Sequence, residues 1–333
     1  MDAPTAPVLS LDEARALRAS GQWQLLAERT APLGDEELLQ EPLLAFIATL
    51  ALRRVGRTQR ALELLRRVEP EVRRRGDRRL IADVVNLTGV VLWESGRSAE
   101  AEVRFGELLE SAVEWENEEA AANACNNLGV LANVRGRRDL ALTYYSRALA
   151  AYQRMGNVAG LAHTHHNLGI SYRDLRFDRE ADAHFGRAVE LAEEVGQEDV
   201  IALAESERAN LRVRWGDGRL AVEMARRALD RFHRISDPTG AAQAIRILGL
   251  AARAEERDDD AAAHFDEALE IARTHDDALL RAEVQRDRGA LLSDRGDVAA
   301  AREALSDSMQ YFAQIGAAAE AEAIRGLLDG LEG

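Results

Sequence analysis

One cysteine, six prolines and no lysine stand among the 333 residues. The lone Cys125 cannot close an internal disulfide or build a cysteine-based metal site, which fits a reducing compartment. After Pro70 the only proline is Pro238, so helices downstream are free to run long. Aromatic residues make up 5% of the chain against 47% hydrophobic, so alanine and leucine carry the apolar content. Both favour closely packed helices. All 43 basic residues are arginine. A GC-rich coding bias accounts for this, although arginine also suits bidentate recognition of carboxylates. The net charge of −15 lacks the basic excess of a nucleic-acid-binding domain. No apolar run approaches the roughly 20 residues that span a bilayer, and the N-terminus has neither the basic flank nor the apolar core of a signal peptide. The expectation is a cytoplasmic all-α protein that binds neither nucleic acid nor membrane.

What is present is a repeat of 40 residues. Written in rows of that length, the chain aligns Ala61, Ala101, Ala141, Ala181, Ala221, Ala261 and Ala301. Twelve residues earlier each row has a small residue: Thr49, Gly89, Gly129, Gly169, Ala209, Gly249 and Gly289. Four after the alanine come Leu65, Phe105, Tyr145, Phe185, Ala225, Phe265 and Leu305. The alanine and the large residue share one helix face, and the upstream small residue lies on an earlier helix. Small residues on both helices let the backbones approach, while the large side chain fills the space beside them. Gly56, Gly96, Gly136, Gly216 and Gly296 mark the turn between the two helices, because glycine best adopts the left-handed conformation that ends a helix. Arg176 and Glu256 hold that slot in the other two rows, which leads us to expect a different turn there. Ser236, Asp237 and Pro238 read as a helix start.

The run Asn127, Leu128, Gly129, followed by Gly136, Ala141, Tyr145 and Ala148, resembles the tetratricopeptide repeat (TPR) signature. Its period is longer than the usual 34 residues and is similar to the long-repeat class of kinesin light chains, spindle-orientation adaptors and sensor domains of bacterial regulators. The usual proline near the end of the second helix is missing, with Gln153 in its place, and Arg208 and Arg288 replace a leucine before the small residue. The resemblance implies a right-handed α-solenoid of helical hairpins. The organisation read from it is a disordered stretch over 1–9, capping helices over 10–40, seven repeats over 41–316 and a capping helix over 317–333.

The resemblance also implies which first-helix positions line the concave face. These are Phe46, Leu50, Arg53 and Arg54 in the first row, then Asp83, Asn86, Trp93 and Glu94 in the second. The third row gives Asn123, Asn126, Asn133 and Val134, and the fourth His163, His166, Arg173 and Asp174. Later rows give Ser206, Asn210, Arg214, Gln243, Arg246, Arg253, Glu283 and Arg286. The candidate binding residues are Asn86, Asn123, Asn126, Asn133, His163, His166, Arg173, Asn210, Arg214, Arg246, Arg253 and Arg286. Asparagine is disfavoured inside helices, yet it recurs here, and its amide can pair with an extended peptide backbone. The recurring arginines would favour an acidic side chain or a C-terminal carboxylate. The alternative is that the asparagines bridge neighbouring repeats and the arginines are salt-bridged or solvated.

His163 and His166 lie one turn apart, but no cysteine or paired carboxylate stands close, so no metal or other cofactor is expected. Arg53 to Arg79 holds eleven arginines against four acids, either a solvated helix face or a site for an anionic partner. No phosphate-cradling loop, nucleophile elbow or helical zinc motif is present, which argues against an enzyme. Three readings stand: an adaptor holding a peptide or partner helix in its groove, a ligand-sensing module acting on a separate effector chain, and a self-assembling solenoid. Three surfaces compete for the main interface: the groove, the convex face and the basic segment.

Overall fold

The computed structural model describes residues 9–331, so the stretch expected to be disordered lies outside the described residues except for Leu9. By its internal contacts the chain divides into two compact units, residues 1–120 and 121–333. The first contains α1 (Leu11–Ala19), α2 (Trp23–Thr30) and α3 (Asp35–Gln40), then the hairpins α4 (Pro42–Arg54) with α5 (Thr58–Arg75) and α6 (Arg78–Glu94) with α7 (Ser98–Glu114). Helices α1 to α3 all pack on α4. The start of α8 (Glu118–Val134) closes this unit, and the rest of it opens the second.

The second unit continues with α9 (Arg138–Met155), α10 (Val158–Asp174), α11 (Asp178–Val195), α12 (Glu198–Arg214) and α13 (Gly218–Arg234). Then come α14 (Pro238–Ala254), α15 (Asp258–Thr274), α16 (Ala278–Asp294), α17 (Val298–Gln314) and α18 (Ala318–Gly330). Every regular element among the described residues is helical, and the fold is an all-α repeat solenoid.

Each hairpin is held where a ring meets a bare backbone. A Cβ built on Gly129 would stand 2.5 Å from the Tyr145 ring, and Gly169 meets Phe185 at the same distance. Only glycine admits the aromatic at that depth. In the fifth row the pair becomes Ala209 and Ala225, both fully buried. The first helices begin on a capping side chain: Asp77, Asn117, Asn157, Asp237 and Asp277 each accept from the backbone N–H three residues on. In the fifth row Gln197 stands there and makes no such bond.

First helices pack directly on one another, α10 on α12, α12 on α14 and α14 on α16. Second helices show no comparable pairing within this unit. The first helices therefore form the inner wall of a curved stack. Arg208 and Arg288 fit by ion-pairing outward, to Asp182 on α11 and Asp266 on α15, each at 2.8 Å.

One expectation needs correction. The turns at Arg176 and Glu256 are the same left-handed turns as the glycine ones, with φ of 65° and 57°. Arg176 N–H donates to Arg173 and Phe177 N–H to Tyr172, as Gly136 and Arg137 donate to Asn133 and Ala132. The paired hydrogen bonds of the helix end outweigh the crowding of a Cβ in this conformation, about 1–2 kcal/mol. Arg176→Gly should consequently raise stability by about 0.5–1 kcal/mol, read as a higher urea midpoint at unchanged slope.

Candidate functional site

The first helices of the second unit carry every candidate binding residue except Asn86, and several of them bond across successive repeats. Asn167 donates to Asn126 at 3.1 Å, and Asn133 donates to Asp174 at 3.1 Å. Arg246 donates to Asp287 at 2.5 Å and Arg253 to Asp294 at 2.7 Å. Arg214 reaches the carbonyl of Arg173 at 3.5 Å. Each of these pairs is separated by 41 positions, one more than the repeat. Arg53 and Glu94 in the first unit share that offset at 2.8 Å. The rotation of one hairpin against the next brings a side chain opposite the residue one place further along.

The arginines are thereby paired inside the protein. Arg173 binds Asp174 at 2.8 Å and also Glu207. Arg214 binds Asp178 at 2.9 Å, and Arg286 binds Asp287 at 2.9 Å. Arg246, only 2% exposed, adds Glu283 at 3.4 Å. Burial works against the charge of Glu207 and Asp287. The guanidiniums of Arg173 beside the first, and of Arg286 and Arg246 beside the second, still hold both carboxyls below the usual range. Burial pulls Arg214 down, with Asp178 acting in the opposite sense.

Other residues take different places. Asn123 accepts from the Tyr152 hydroxyl at 2.6 Å and is a strut between α8 and α9. His163 is exposed and lies 3.4 Å from the amide of Gln197. Asn210 is half-buried and joins none of these pairs. Asn86 is half-buried in the first unit. His166 is buried, and burial lowers its pKa to about 4. Among the described residues no group of three or more His, Cys, Asp or Glu side chains is placed to hold a metal ion, and no helix is long and apolar enough to cross a membrane.

The basic segment is also largely paired. Arg60 and Arg67 bind Asp35 on α3, Arg73 and Arg104 bind Glu69, and Arg74 and Arg75 bind Glu71. The N-terminal helices supply much of the acid that this run lacks in sequence.

Glu207, Asp287 and Asn167 were missed by the sequence reading. Charge complementarity at a spacing of 41 rather than 40 marks Asp287 opposite Arg246, but not Glu207, which stands 34 positions from Arg173, nor the neutral Asn167.

Several buried polar atoms on the inner wall have no hydrogen-bond partner. Three occupy the same repeat position in successive first helices: His166 Nε2 on α10, Ser206 Oγ on α12 and Arg246 Nε on α14. Asn133 Oδ1 on α8 and Gln285 Oε1 on α16 are also without a partner but stand at other repeat positions, and Gln285 reaches Asp307 on α17 through its amide nitrogen.

Breaking one pair should be costly where burial is deepest. Asp287→Ala should lose about 3–5 kcal/mol, whereas Arg246→Met with Asp287→Leu should recover most of it by chemical denaturation. A second expectation concerns pH. His166 has a folded pKa near 4 against 6.5 in the unfolded chain, so the unfolded state binds protons first. Its contribution is fully present above pH 6.5 and is lost as pH falls toward 4. His166→Asn, the residue of the preceding two rows, should flatten the decline in melting temperature over that window.

Residues 119–194 match the tetratricopeptide repeat family model. No curated protein matches the chain. Among solved structures, a Rap protein complexed with Competence and Sporulation Factor is similar at 17% identity and a TM-score of 0.63, covering 97% of this chain and 96% of that one. A plasmid Rap conjugation gene regulator in complex with a Phr peptide has a TM-score of 0.69 at 15% identity, covering 84% and 77%. A signal-transduction ATPase with a tetratricopeptide repeat sensor from Pyrococcus horikoshii has a TM-score of 0.50 at 15% identity, covering 92% of this chain and 45% of that one. The family pattern over residues 119–194, the hairpins with their glycine–aromatic contacts and these likenesses give the chain a TPR-like repeat fold.

Proposed function

We propose that this protein is a non-catalytic interaction scaffold that holds a peptide or partner helix against the inner wall of its second unit. The observation that carries the reading is the row of unpartnered buried atoms on His166, Ser206 and Arg246. Folded chains satisfy nearly all such atoms, so a ligand that draws these side chains out to the wall's surface would supply the partners they lack. Two chains of the same fold were solved in complex with a factor or peptide, which supports the same use of this one. The helices before residue 41 and after 316 act as caps on the repeats between. The setting is cytoplasmic.

An acidic ligand, the choice suggested by the arginines alone, would have to displace carboxylates already bound to Arg173, Arg246 and Arg286. Neutral hydrogen bonding along the wall is the stronger source of affinity, with Asn210 free to join it. A ligand-sensing role with a separate effector chain uses the same surface and is favoured by the likeness to a tetratricopeptide sensor.

A photo-reactive residue placed at Asn210 should capture a polypeptide from the native cytoplasm, while the same residue at exposed Glu190 on α11 should not. Capture from Glu190 alone would move the interface to the outer face. A captured species of twice the chain mass from either position would favour self-assembly.

A further inference from the structure

In the sequence His163 and His166 are the histidines that invite a metal, but the structure brings a different pair together. His165 on α10 and His184 on α11 meet with their Nδ1 atoms 2.9 Å apart. Their ring centroids are 5.2 Å apart, and Tyr172 stacks on the His184 ring at 5.0 Å and 9°. Packing fixes both backbones. Thr164, next to His165, is fully buried, and Phe185, next to His184, is seated on Gly169. The repeat does not call for imidazoles here. The same two positions hold Cys125 with Tyr144 in the preceding row and Glu205 with Met224 in the next.

Two imidazole nitrogens this close are joined by a shared proton or by an ion that both ligate. In the hydrogen bond one ring donates from Nδ1 and the other accepts. A metal takes both lone pairs once the donating ring carries its proton on Nε2 instead, so the pair loses no proton. Burial pulls both imidazoles below their usual range, His165 to about 4 with His184 adding to the effect, and both are neutral at neutral pH. The spacing selects the geometry. With metal–nitrogen bonds of about 2.0–2.1 Å, ligands at right angles stand roughly 2.9 Å apart and tetrahedral ones roughly 3.3 Å. The observed separation fits cis positions on a tetragonal ion.

The charges nearby are already matched. Arg187, one turn beyond His184 and within electrostatic reach of His165, binds Glu190 at 2.8 Å. Asp182 is held by Arg208 and Arg212. Among the described residues no third His, Cys, Asp or Glu completes a cluster, and both rings are half-buried, which leaves the other coordination positions to water.

We propose that His165 and His184 form a two-histidine site for a divalent ion of tetragonal geometry, Ni²⁺ or Cu²⁺, which ties α10 to α11 across one hairpin. The site is independent of the groove reading, since neither ring belongs to the row of unpartnered atoms.

The test is titration calorimetry of the full chain with Ni²⁺ and, separately, with Zn²⁺, read beside the melting temperature. The chain should bind a single Ni²⁺ more tightly than Zn²⁺ and melt at a higher temperature with it. A second ligand held beside the first acts at a high effective concentration, so His165→Ala and His184→Tyr should each weaken Ni²⁺ binding about a hundredfold. Tyrosine already stands at the second position in the preceding row, so that variant should keep its fold. His163→Ala should bind as the unaltered chain does. Binding that survives His184→Tyr, or that is lost with His163→Ala, overturns the site. So does a chain that binds no Ni²⁺, or one that binds Zn²⁺ the more tightly.

Discussion

Everything in this fold depends on how closely two helix backbones approach within a hairpin. The contact of Tyr145 with the bare backbone at Gly129 sets that distance, and Phe105, Phe185 and Phe265 do the same at Gly89, Gly169 and Gly249. A side chain on the glycine would force the helices apart, and a smaller residue than the ring would leave a void, each costing stability. Row five changes both partners at once, to Ala209 and Ala225, and both are fully buried.

Once the hairpin is fixed, its rotation against the next one decides which side chains meet. The offset of 41 places Arg246 on Asp287 and Asn133 on Asp174. Buried ion pairs of this kind add little net stability, because desolvation consumes most of the attraction. Their greater effect is on register, since a slip of one place would bury unpaired charge. They also remove charge from the groove: a wall rich in arginine becomes nearly neutral, and recognition falls to hydrogen-bonding atoms and to the few charges left over.

The hairpins were legible in the sequence because their determinants recur at fixed positions within one row. Small residue, alanine and aromatic all report on a contact between helices a dozen or so residues apart. Arg173 and Arg246 were legible as first-helix residues for the same reason. Their partners were not, since Glu207 and Asp287 meet Arg173 and Arg246 only through the pitch of the stack, which no single row encodes. The left-handed turns at Arg176 and Glu256 were misread because residue preference was weighed without the hydrogen bonds that close the helix end. The return of the turn before α18 to the end of α8 was not legible either, for nothing in the primary sequence says that Gly316 and Arg135 meet.

That return bears on the order in which the second unit folds. Its packing otherwise joins helices that are neighbours in the chain or one helix removed, and arrays with such local contacts nucleate at any hairpin and grow outward quickly. The meeting of Gly316 with Arg135 is of another kind, because it closes a loop containing almost the whole unit. It can form only after the intervening hairpins have acquired their curvature. Assembly of the repeats and the meeting of Gly316 with Arg135 are then separate kinetic events.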